Sequence, residues 1–176
     1  AQTAMEVHDL TSVLFIPCAM PPHKSGAELI DGKHRLGMVE RAIESNPFFE
    51  VTSMELERPG VSYAVDTVRA LSAERPRADW FFIIGADTLR DLHKWRQIYD
   101  LLPMCRFVTF GRPGVELEGI GAADLNLDPP WPERLLRDVV AGRQLDISST
   151  DIRYRVAEGL SIRYLVRSEE HTSELQ

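Results

Sequence analysis

The sequence predicts an α/β domain built on a doubly wound parallel sheet, and three observations carry that prediction. Short apolar runs without alternation recur along the chain, stripes at helical spacing separate them, and Pro or Gly clusters punctuate the joins. The clearest unit is WFFIIGADTLRDLHKW at residues 80–95, where an unalternating run meets Gly85-Ala86-Asp87 and then Leu89, Leu92 and Trp95 share one helical face. In open α/β sheets ligands bind beyond the carboxyl ends of the strands, so Gly85 and Asp87 stand where chemistry is usually done.

Taken in order, residues 1–10 read as the last turns of a helix, and SVLFIP at 12–17 as a buried strand. The following CAMPPHKSG is a loop, because Pro21-Pro22 fits neither a helix interior nor a central strand. Leu36, Val39, Ala42 and Ile43 stripe a helix over 31–46 that Pro47 stops, and residues 48–53 form a second strand. Ser62 reads as the N-cap of a helix over 62–74, with Val65, Val68 and Leu71 on one face. After the strand and helix of the central unit, QIYDLL continues as helix to Pro103, and RFVTF at 106–110 is a strand ending in the turn GRPG. A short strand near 123–127 and a helix over 133–140 are expected next, with no chemistry legible between 115 and 144. LDISSTDIR then gives a short strand and a last helix, opening on Ser148-Ser149-Thr150 with Arg153 one turn on, a suitable site for an anion.

At 176 residues and 44% hydrophobic content, one domain over residues 1–166 suffices, burying roughly 70% of the surface its unfolded chain exposes. A net charge of −7 argues against a general nucleic-acid binder. Cys18 and Cys105 lie far apart, which suits reduced thiols in a cytoplasmic protein, and no apolar run approaches membrane-spanning length. No convincing Ser-His-Asp or Cys-His set and no zinc spacing is present, so metal ligands are expected to be none. Residues 167–176, RSEEHTSELQ, lack an apolar face and resemble a translated sequencing adapter, a disordered non-native tail.

Five ordered blocks, FIPCAMPPHK, SYAVDT, IIGADTLRDLHKW, GRPG and ISSTDIR, make the chain resemble the bacterial nicotinate-nucleotide adenylyltransferases over residues 1–166. The resemblance implies a Rossmann-like nucleotidyltransferase fold that joins nicotinate mononucleotide to the adenylyl group of ATP, with magnesium accompanying ATP. The family opens with a strand and a G-x-F-x-P-x-H-x-G-H motif that this sequence lacks, and it continues past SIRYLV with a proline and a terminal helix. The expectation is therefore a domain without its first strand, inactive as it stands and with no assignable catalytic residue, since His8 lacks the motif around it.

By the same resemblance Ser149, Thr150 and Arg153 would hold the ATP phosphates, with His23, Lys24 and Arg112 near them. Gly85 and Asp87 would border the nucleotide, Asp87 accepting ribose hydroxyls. Ser62 and Tyr63 would line the nicotinate side, and Trp95 would stack on its ring, although on spacing alone Trp95 reads as core. The family often has Thr where this chain has Ala64, while Arg35 reads as structural. Two alternatives stay open: an adenylyltransferase for nicotinamide mononucleotide or another phosphorylated acceptor, and a silent nucleotide-binding remnant. The sequence leaves a homo-oligomer open and calls for neither nucleic acid nor membrane.

Overall fold

In the computed structural model, residues 1–22, 30–111, 119–140 and 147–166 are described. Strands β1 (Val13–Phe15), β2 (Phe49–Val51), β3 (Phe81–Gly85), β4 (Arg106–Phe110) and β5 (Val139–Val140) alternate with helices α1 (Gln2–His8), α2 (Gly32–Ile43), α3 (Ala64–Glu74), α4 (Ala86–Asp91), α5 (Ile98–Leu101) and α6 (Trp131–Arg137). Helix α7 (Ser149–Ala157) follows. Every pairing is parallel, as expected of strands linked by helical crossovers.

The strands fall into two sheets, β1 with β2 and β3-β4-β5 in that order. The second carries the core. Phe81 to Gly85 pair with Arg106 to Phe110 residue for residue, so both strands run their full length together. Ile84 of β3 and Phe107, Val108 and Thr109 of β4 are buried, while Phe81, Phe82 and Ile83 are half-buried where β3 borders open space. Leu89, Leu92, Leu101, Leu125, Val65 and Val108 are fully buried around them, α3 packs on α5, and α4 and α6 pack on β4.

Between the two sheets lies a cavity of about 1210 Å³, lined by β1 residues on one side and by Phe81, Phe82 and Ile83 of β3 on the other. Among the described residues β1 and β3 each pair on one side only. His8 Nε2 and Trp80 Nε1, both on residues lining the cavity, are buried without a hydrogen-bond partner among the described residues.

Several boundaries differ from the sequence expectations, each for a local reason. Helix α3 starts at Ala64 with Tyr63 as N-cap, because the Ser62 hydroxyl is used elsewhere, accepting from Ala19 N at 3.3 Å. The helix expected to run from Asp87 to Leu102 is broken: a 3-10 turn spans Leu92–Lys94, and Gln97 takes a left-handed φ of 50° before α5. The strand expected near 123–127 is a 3-10 turn, Ala122–Leu125, whose Asp124 carboxylate accepts from Gly121 N at 2.8 Å. The helix expected to reach residue 140 stops at Arg137, and β5 extends the sheet, Thr109 N donating to Asp138 O at 3.0 Å. Arg106 donates from both Nε (2.6 Å) and Nη2 to the buried Asp138 carboxylate, anchoring that edge. The expected strand at Leu145 lies outside the described residues.

Leu101→Ala removes a fully buried side chain and is expected to cost about 2–5 kcal/mol, read as a lower urea midpoint; a change within error would contradict the core assignment. In amide hydrogen exchange β4, paired on both sides, should hold the slowest amides, with β1 and β3 faster. Equal protection across all three strands would mean that the sheet is closed in solution.

Candidate nucleotide site

The upper wall of the cavity is assembled where the loop after β1 meets the start of α3. Ser62 is 7% exposed, and its N–H donates to Met20 O at 3.0 Å while its hydroxyl accepts from Ala19 N. One residue thus ties the β1 loop to the helix that crosses from the first sheet to the second. Arg35 reinforces the loop by donating to Ile30 O (3.0 Å) and Ala19 O (3.5 Å), the structural role expected of it. Beneath them Glu55, 8% exposed, accepts from Thr67 Oγ1 at 2.6 Å, and Arg58 Nη1 donates to the same hydroxyl at 3.2 Å. Sequence spacing gave no hint of this buried cluster, because Glu55 sits in an irregular turn without periodicity.

Tyr63, Ala64, Trp95 and Arg96 line the same cavity. The Trp95 ring meets Phe82 edge-on at 5.6 Å and Phe107 at 6.3 Å, so part of it is packed on the core while the residue also borders the cavity. Trp95 is thus half-buried, in contact with the core and at the edge of the cavity. The Arg96 guanidinium lies over the Tyr63 ring, 4.5 Å from its centroid. Arg96 was missed at the sequence level; only the left-handed Gln97, invisible to pattern reading, brings it back against α3.

Gly85 ends β3 opposite Phe110 and serves as the N-cap of α4 with φ −87°, ordinary extended backbone, so any need for glycine there comes from close approach. Asp87 is exposed in the first turn of α4, at the carboxyl end of β3, two residues after the N-cap Gly85. Ser149 and Thr150 open α7, where Ser148 Oγ accepts from Asp151 N at 3.0 Å and Arg153 Nη2 donates to Thr150 Oγ1 at 3.3 Å. The structure therefore brings Ser149, Thr150 and Arg153 together, all exposed, but does not join them to Gly85 or to the cavity. His23, Lys24 and Arg112 lie outside the described residues.

A second hollow, about 800 Å³, opens at the amino ends of β3 and β4 between Trp80, Met104, Trp131 and Arg134, and it contains none of the residues singled out from the sequence. Among the described residues no three His, Cys, Asp or Glu side chains gather as a metal cage. None of the described helices is long and apolar enough to cross a membrane.

The family model for cytidylyltransferase-like proteins matches residues 1–155. A probable nicotinate-nucleotide adenylyltransferase of Halalkalibacterium halodurans is 40% identical over 167 residues, covering 94% of this chain and 75% of that protein. A second, from Desulfitobacterium hafniense strain Y51, is 42% identical over 169 residues, covering 94% and 79%. The chain belongs to the nicotinate-nucleotide adenylyltransferase family. A solved nicotinic acid mononucleotide adenylyltransferase of Plasmodium falciparum, complexed with NaAD, superposes with a TM-score of 0.63 at 16% identity, covering 92% of this chain and 78% of that one. That likeness shows the nucleotidyltransferase fold. This member of the family is thus a nucleotidyltransferase.

Neither thiol of this adenylyltransferase is set up as a nucleophile. Burial pushes Cys105 up to about 12, and burial is also the main cause raising Cys18, where a hydrogen bond with Ser62 opposes it. For Cys105 the raised value favours the neutral thiol in the fold. Its contribution to stability is present below the unfolded value of roughly 8.5 and is lost as pH rises toward 12. With a maleimide at pH 8, Cys18 should label slowly and Cys105 only on unfolding; rapid labelling of Cys105 in the folded protein would contradict its burial.

Proposed function

We propose that this chain handles the substrates of adenylyl transfer to nicotinate mononucleotide, in the cavity between its two sheets. In that reaction a phosphate oxygen of the mononucleotide attacks the α-phosphorus of ATP. The bond to the β-phosphate breaks, pyrophosphate leaves, and nicotinate adenine dinucleotide forms. Positioning and charge neutralisation dominate such transfers, so no side-chain nucleophile is needed. The observation that carries the reading is the identity of about 40% with nicotinate-nucleotide adenylyltransferases along 94% of the chain.

In this reading each described residue takes one role. Gly85 lets the nucleotide approach the end of β3, and Asp87, on the next turn, accepts from ribose hydroxyls. Ser149, Thr150 and Arg153 present hydroxyls, the first amides of α7 and a guanidinium to the β- and γ-phosphates. Tyr63 and Ser62 form the acceptor wall, and Trp95, which borders the same cavity, receives the pyridine ring. His23, Lys24 and Arg112 are assigned to the phosphates on sequence grounds. Magnesium enters as the partner of ATP, its ligands being mainly phosphate oxygens and water, since the described residues form no cage of their own. The reading takes residues 1–166 as one domain working in the cytoplasm.

Calorimetry with ATP-magnesium and with nicotinate mononucleotide, beside an assay of pyrophosphate release, tests the proposal. Binding of both with little turnover by the 176-residue chain is the expected result, and absence of binding for both would overturn it. Arg153→Ala should weaken ATP about tenfold and leave the mononucleotide unchanged, the size expected for one charge-assisted contact. An equal loss for both ligands would instead place Arg153 in the fold.

A further inference from the structure

We propose that the hollow at the amino ends of β3 and β4 is a second ligand site of this chain, one that takes a phosphorylated aromatic such as a nucleoside monophosphate. It lies a full strand length from Gly85 and Asp87, roughly 15 Å at about 3.3 Å per residue. The inference does not rest on the function proposed above.

At about 800 Å³ the hollow falls in the range of roughly 300–1000 Å³ that holds small ligands. Leu102, Pro103 and Met104 give it an apolar lining, and two of the chain's three tryptophans, Trp80 and Trp131, border it. Three arginines join them and can be sorted by what already holds them. Arg106 gives Nε and Nη2 to the buried Asp138 carboxylate. Arg137 spends Nε on Glu133 O at 3.4 Å, and its terminal nitrogens have no acceptor among the described residues. Arg134 lies over the Trp131 ring, 5.0 Å from its centroid, and its side chain has neither a hydrogen bond nor a carboxylate partner among the described residues.

Arg134 and Arg137 are three residues apart on α6, hence neighbours on the helix surface, and both are exposed. One carboxylate would neutralise one of them. A phosphate monoester, carrying about −1.5 to −2 near neutral pH, matches the pair and accepts through several oxygens. Trp80 supplies a separate observation. Its Nε1 is buried without an acceptor among the described residues, where an indole N–H normally finds one. A nucleobase is flat and edged with acceptors, so it suits both that donor and the aromatic walls.

The tryptophans make the test direct, because each indole N–H gives its own NMR signal. Trp131 reports on this hollow, Trp95 on the cavity between the sheets, and Trp80 borders both. The variants Trp131→Phe and Trp95→Phe assign the two reporters. AMP titrated into the ¹⁵N-labelled 176-residue chain should shift the Trp131 signal along a saturable curve. Adenosine and ribose 5-phosphate, each half of that probe, should act there at least about tenfold more weakly. Arg134→Gln, with circular dichroism confirming the fold, should weaken AMP at Trp131 about tenfold and leave any response at Trp95 unchanged. A shift of Trp95 alone, or of neither signal, would overturn the proposal. So would adenosine or ribose 5-phosphate equalling AMP, or an Arg134→Gln chain that binds AMP as before. None of these outcomes touches adenylyl transfer, which is read by mononucleotide binding and pyrophosphate release.

Discussion

The residue-for-residue ladder between β3 and β4 is the constraint on which the rest depends. Five consecutive pairs set one register, and a slip would move Ile84, Phe107 and Val108 out of their buried contacts. That register puts Gly85 beside Phe110 at the carboxyl edge and starts α4 there. Leu89 and Leu92 then hold α4 and the 3-10 turn on the core, which delivers Trp95 to Phe82 and Phe107. This corner of the cavity is therefore positioned by packing rather than by the loops alone.

The first sheet depends on a different device. It is short, and its attachment to the second passes through α3 and through the hydrogen bonds at Ser62. A hydroxyl that looks from sequence like a helix cap instead joins two loops. The charged groups follow the same economy: Arg106 and Asp138 hold the β4–β5 edge, while Arg69 and Arg96 share Asp66 between α3 and the α5 corner.

Much of this was legible in the sequence, and the exceptions have physical causes. β4 matched its expected limits, and the central strand and its turn into α4 were found because a parallel strand buried on both faces reads as an unbroken apolar run. Residues 122–140 were misread, because Val139-Val140 is too short to show a period and Asp124 fixes a turn through a local bond. The sequence also suggested that Ser62, Tyr63, Trp95, Gly85, Asp87 and the α7 residues mattered, through resemblance more than through pattern. It could not suggest Arg96 or Glu55. Arg96 depends on a left-handed glutamine, and Glu55 on contacts twelve residues away that no periodicity encodes.

The opening between the sheets bears on more than architecture. Among the described residues no strand pairs with the ladder groups of β1 and β3 that face the cavity, which leaves water as their available partner in solution. Water is itself a nucleophile toward phosphorus. A solvent-filled slot beside an adenylyl donor offers a competing acceptor of far higher concentration than any mononucleotide. Were the donor held in this cavity, as proposed, the water it admits would compete with the intended acceptor oxygen for the adenylyl group.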